Sequence, residues 1–174
     1  MVELVEHQAS WAAEYGREAR RLRGALGDEI DALEHIGSTA VPGLLAKPVI
    51  DLAARASTGC TSSAAAAALN GLGYEQHRSG PQNHDVFVRV TDGRRTHILH
   101  VFTAEQWDSC AQRLLRDVLL RDATARERYA DLKRRLEGEV DGRAYTAAKL
   151  PLLQELLDAE RARRGLPPAS AWDK

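Results

Sequence analysis

Between Glu34 and Arg55 the chain reads EHIGSTAVPGLLAKPVIDLAAR, and several residues in that stretch suit a phosphorylated ligand. Gly37 lets backbone approach a ligand closely, and Ser38 and Thr39 offer hydroxyls and amides to phosphate oxygens. Lys47 adds a compact positive charge. Asp51, one acid in an apolar run, is a hard carboxylate of the kind that holds Mg²⁺ beside a nucleotide. The same residues also make ordinary turns, and a lone strand acid also closes structural hydrogen bonds or ion pairs. Spacing alone does not separate the two readings. Far downstream, Tyr145 and Lys149 stand four apart, so they share a helical face and can present a hydroxyl and an ammonium to one anion.

These residues need elements to hold them. Ser10 is placed to cap a helix running to about Arg23, with Trp11, Tyr15, Ala19 and Leu22 at helical spacing. LEHIG and PVIDLAAR then predict strands, the second a central one, and CTSSAAAAALNGLG a short alanine-rich helix. YEQHR is a further short strand. HDVFVRVTDGRRTHILHVF carries the clearest signal, two β-rich runs flanking Asp92-Gly93, which is a hairpin turn. Strands are therefore expected near residues 33–37, 48–54, 84–90 and 96–102. From Thr103 on the period turns helical through TAEQWDSCAQRLLRDVLLR, ATARERYADLKRRLEGEV and AYTAAKLPLLQELLDAERARR. In the second of these, RERYADLKRR predicts a solvated face. The order implies an α+β domain over residues 1–165, a mixed sheet with a C-terminal helical layer, followed by a polar tail at 166–174.

Composition limits the partners. Lys and Arg number 24 against 25 Asp and Glu, so no global field draws nucleic acid or an anionic membrane, and a basic site must be local. No run of 18 apolar residues occurs, and the first residues lack a cationic stretch before an apolar one, so neither a spanning helix nor a signal peptide is expected and the expected place is the cytoplasm. Cys60 and Cys110 lack metal-ligand spacing and are expected to be reduced. His7, His77 and His84 have no partner spacing and are expected to be surface or structural residues.

HIGSTAVPGLLAKPVIDL resembles the signature of the GrpB family: a strand ending in His-Ile-Gly-Ser-Thr, a Val-Pro-Gly turn, and Lys-Pro before an Ile-Asp strand. LNGLGYE, THILHVF, the aromatic residue of EQWDSC, LLRDVLLR, YADLKRRL and YTAAKLPLLQELL follow in the family's order, so the resemblance spans nearly the whole chain. It implies a nucleotidyltransferase-like fold, in which a Gly-Ser pair stands shortly before an acid-apolar-acid strand that binds two metals; here twelve residues, Thr39 to Ile50, separate Ser38 from Asp51. The second acid is absent, because Ala53 stands two positions after Asp51, whereas two-metal catalysis needs carboxylates for ions about 4 Å apart.

Where the superfamily places a third acid, this chain has His97 and His100, three apart and hence on opposite faces of a regular strand. Either could act as a general acid or base, and imidazole suits a transition ion better than Mg²⁺. Arg116 and Lys149 match family positions; Arg116 suits a bidentate contact to phosphate or carboxylate, or pairing with a neighbouring acid. The resemblance thus implies an enzyme acting on a nucleotide or other phosphorylated, activated small molecule, with Asp51, His97 and His100 in catalysis. Gly37, Ser38, Thr39, Lys47, Arg116, Tyr145 and Lys149 would bind the substrate, and a divalent metal, Mg²⁺ or a His-compatible transition ion, would rest on Asp51. The alternative it implies is a non-catalytic nucleotide-binding or accessory module, related to the domain appended to some bacterial dephospho-coenzyme A kinases.

Overall fold

Asp92 and Gly93 both take positive φ, 52° and 73°, the turn geometry that matches the twist of two antiparallel strands. The flanking runs pair as β4 (Asp85–Thr91) and β5 (Arg94–Phe102) in a computed structural model that describes residues 3–58, 62–79, 81–138 and 142–171. On its other edge β5 takes β2 (Ile50–Ala56) as a parallel neighbour. Antiparallel β1 (Ile30–Ile36) and β3 (Tyr74–Gln76) complete the sheet, in the order β1-β2-β5-β4-β3. A parallel step demands a crossover, and α2 (Ser62–Gly71) with β3 and β4 supplies it.

Strand alternation sorts the side chains between two helical layers. Ile50, Leu52 and Ala54 of β2 and Leu99 of β5 pack with Trp11 and Leu22 of α1 (Ser10–Leu26), and with Leu69, Tyr74 and Phe87, into the larger core. Each large apolar side chain buried there contributes about 1.5–3 kcal/mol. Residues out of phase, Asp51 and Ala53 on β2 and their register partners Ile98 and His100 on β5, take the opposite face. That face belongs to the C-terminal layer of α3 (Ala104–Trp107), α4 (Ala111–Arg121), α5 (Ala123–Leu136) and α6 (Gly142–Arg164). Val41 and Leu44 of the β1–β2 loop are buried among Val118, Leu119, Tyr129 and Leu156 of these helices, so the loop is clamped at its middle.

The expected α+β architecture and its four principal strands are present. Three details differ. Ser10 is the first helical residue of α1, after Ala9, and no side chain caps that end. The stretch expected to form one helix from Thr103 divides into α3 and α4: a reciprocal cap between Thr103 and Gln106 closes a short first turn, and Trp107 and Cys110 are drawn into the cluster with Ala53 and Phe102. The polar residues after α6 fold back on it, Gln154 bonding to the Ala169 carbonyl and the Ala171 N–H. Cys110 is a buried free thiol, while Cys60 lies outside the described residues.

Candidate functional site

The signature loop is built residue by residue around Asp51. Gly37 has φ 70° and ψ −174°, a region only glycine enters readily, and a Cβ there would stand 2.5 Å from the Asp51 Oδ2. His35 stacks on Tyr15 with centroids 4.8 Å apart, and its Nε2 lies 3.0 Å from the Thr39 hydroxyl, which donates to the Val49 carbonyl at 3.2 Å. Burial holds His35 near 4, hence neutral, so the ring braces the loop without bringing charge. Ser38 accepts a hydrogen bond from the Lys133 ammonium at 2.9 Å, and Lys133 also donates to the Leu45 carbonyl.

Between this loop, the Asp51 face of the sheet and helices α5 and α6 lies a cavity of about 420 Å³. It brings together Ser38, Thr39, Lys47, Asp51, Tyr145 and Lys149 from the residues singled out in the sequence, and adds Lys133 and Arg95. Tyr145 is the hub, with the Lys149 Nζ 4.5 Å and the Lys47 Nζ 4.7 Å from its ring centre. Its buried hydroxyl has no hydrogen-bond partner among the described residues. Lys133 and Lys149 lie 5.2 and 5.9 Å from the Tyr129 ring. Asp51 is the one carboxylate among the described wall residues, and it forms no ion pair among the described residues.

Charge is therefore unbalanced in a partly desolvated space. Burial raises the Asp51 carboxyl to about 7, against the pull of Lys149, Lys133, Arg95 and Lys47. Burial and then repulsion from Lys149 bring Lys133 down to about 7; burial brings Lys149 to about 8, with Asp51 pulling it back. Burial and Lys149 also lower Lys47 at the exposed rim. A phosphate entering such a space meets cations that its own charge would re-protonate.

The histidines and Arg116 are placed elsewhere, and the expectation that they share the Asp51 site is corrected. His97 projects to the other face, 2.8 Å from the Arg89 guanidinium, which in turn holds Glu18 of α1. His100 is on the Asp51 face but level with Ala53, where it bonds to His84 at 2.8 Å. Burial holds these rings near 4 and 3, uncharged. Arg116 spans Glu34 of β1 and Asp117, at 2.7 and 2.6 Å, and is a strut between α4 and the sheet.

The GrpB protein family model matches residues 1–159. The chain belongs to the GrpB family. A UPF0157 protein of Halalkalibacterium halodurans is 33% identical over 165 residues, 92% of this chain and 83% of that one. The glutamate-rich protein GrpB of Alkalihalophilus pseudofirmus is 30% identical over 169 residues, 89% of this chain and 93% of its own. The crystal structure of conserved protein GrpB from Enterococcus faecalis matches at a TM-score of 0.81 with 22% identity, over 94% of this chain and 99% of that one. The sheet and its helical layers are thus a fold shared with that protein.

Two-metal chemistry does not fit the donors of this GrpB site. Ala53, two positions after Asp51, offers no second carboxylate, three ammoniums and a guanidinium line the cavity with Asp51, and no group of three or more His, Cys, Asp or Glu among the described residues could hold an ion. Lys133 and Arg95 were missed by sequence reasoning. Lys133, 3% exposed, repeats on α5 the spacing of Tyr145 and Lys149 on α6, four residues after Tyr129, and that repeated pair was the available signal. Arg95 reaches the cavity because the β4–β5 register slips between Arg89 and Val90, where β5 advances from His97 to Arg95; the extra residue flips side-chain parity.

Proposed function

We propose that this GrpB protein binds a nucleotide or another phosphorylated small molecule in the Asp51 cavity. One observation carries the reading: Lys47, Lys133, Lys149 and Arg95 converge on one cavity with, among the described residues, a single carboxylate and no ion pair, so the charge is left for a ligand. The volume, about 420 Å³, falls within the roughly 300–1,000 Å³ of small-molecule sites. Lys133, held by Ser38 and Leu45, is a fixed donor; Lys47 and Lys149 lie against Tyr145 and are free to turn to phosphate oxygens. Asp51, balanced near neutrality, is the group able to accept or return a proton from a bound hydroxyl. Ala53 in the place of a second acid favours binding without two-metal nucleotidyl transfer, the accessory-module form of the reading.

A thermal-shift screen over nucleotides, coenzyme A precursors and pyrophosphate, with and without Mg²⁺, tests the proposal. The expected result is stabilisation by phosphorylated compounds and not by their dephosphorylated parents. Lys47→Ala should weaken the best ligand by about 1–3 kcal/mol, the value of a charge-assisted contact. Equal shifts with and without the phosphate would overturn it.

A further inference from the structure

The chain has only four lysines, Lys47, Lys133, Lys149 and Lys174, against twenty arginines, and three of the four meet in the Asp51 cavity. The ion pairs that brace the fold use arginine: Arg89 with Glu18, Arg113 and Arg116 with Glu34, and Arg121, Arg163 and Arg164 with Glu160. If the cavity needed only positive charge, arginine would serve, and it holds phosphate in a better-matched fork. What lysine offers and arginine does not is an amine that can shed its proton and attack.

Of the three, Lys133 is committed to Ser38 and Leu45. Lys47 stands at the exposed rim. Lys149 is half-buried between the Tyr145 and Tyr129 rings, makes no hydrogen bond or ion pair among the described residues, and shares those rings with the ammoniums of Lys47 and Lys133; burial disfavours its charged form. A desolvated lysine beside other cations is the recurring arrangement of an amine nucleophile.

Resting on the phosphate-site reading, we infer that Lys149 is a reactive amine that forms an imine with a phosphorylated aldehyde or ketone held by the other cations. The Lys149 Nζ lone pair adds to the carbonyl carbon, and the C=O pair moves to oxygen, which takes the proton of the Asp51 carboxyl. The nitrogen gives one of its protons to Asp51, which passes it to the hydroxyl as that leaves as water; the products are a protonated C=NH⁺ beside the ionised Asp51 carboxylate and one water, with no oxidant or second substrate. Asp51 and Lys149 line the same cavity, and each is among the charges acting on the other.

Pyridoxal 5′-phosphate followed by borohydride reduction and peptide mapping is the test, with few competing amines in the chain. The expected result is one adduct per chain on Lys149, formed about tenfold or more faster than on Lys174, since a group near 8 is free base far more often than a lysine at the ordinary value of about 10.4. Pyrophosphate should suppress it, and Lys149→Arg should lose it while melting as the parent does. Calorimetric titration of the parent protein with pyrophosphate reads the phosphate site independently. Pyrophosphate binding with no adduct, or with the adduct on Lys47, Lys133 or Lys174, overturns the role of Lys149 and leaves the phosphate site standing. Absence of both overturns both.

Discussion

Replacing Asp51 with asparagine is expected to stabilise the ligand-free protein at pH 8. The folded state holds the Asp51 proton to about pH 7, whereas the unfolded chain releases it near 3.8. Between those values the folded state carries more protons, so the acid's contribution to stability falls as pH rises through the window and is flat above it. At 1.36 kcal/mol per tenfold in affinity, the ionised carboxylate costs about 4 kcal/mol above pH 7. That figure already contains the attraction of Lys149, Lys133, Arg95 and Lys47, the charged groups that face Asp51 from α6, α5, β5 and the loop. Asparagine copies the shape of the neutral acid and keeps its place over Gly37. The gain should approach about 4 kcal/mol at pH 8, a ceiling that cavity water lowers, or roughly 8–16 °C in melting temperature for a chain of this size, and should shrink below about 1 kcal/mol at pH 4. Urea unfolding of both proteins at pH 4, 6 and 8 is the assay. A loss of stability at pH 8, or an equal change at pH 4 and 8, would refute the reasoning and make Asp51 a structural hydrogen-bonding residue.

Gly37→Ala should cost about 2 kcal/mol or more, since it sets a Cβ 2.5 Å from the Asp51 carboxylate at a backbone geometry glycine alone tolerates; a melting curve checks it. Arg116→Ala should lower stability by about 1–3 kcal/mol by stripping Glu34 and Asp117 of their shared partner, with phosphate-ligand affinity unchanged in a parallel titration. His35 and His97, near 4, and His100, near 3, are neutral in the fold and bind fewer protons than the unfolded chain up to 6.5. Their contribution is complete above pH 6.5 and lost as pH falls through that window, opposite in sign to that of Asp51. Denaturant curves from pH 7 to 4 should show the loss, and His100→Gln should flatten part of it.

The fold was legible where local rules coincide with the tertiary outcome. Asp92-Gly93 announces its own turn, and apolar runs around Ile36 and Ile50 have no other place to go than a sheet with helices on both faces. The lone acid of β2 was legible too, because one charged side chain in alternating strand positions must face something polar or open. His97 and His100 were rightly expected on opposite faces, but which one stands level with Asp51 depends on the β2–β5 register, and that register pairs Asp51 with Ile98. Lys133 was hidden by the surrounding arginines of α5, whose charge made the whole stretch look solvated although Tyr129 and Lys133 lie on its buried stripe. Arg95 depended on a bulge that no residue in the hairpin signals.

Calorimetric titration at pH 8 with the best phosphorylated ligand, run in two buffers of different ionisation enthalpy, tests the central claim most directly. Lys133 and Lys149, lowered by burial toward 7 and 8, should regain protons when a phosphate arrives. Saturable binding with net proton uptake is expected, both diminished in Lys47→Ala. No saturable binding, or binding with no proton uptake that Lys47→Ala leaves intact, would contradict it.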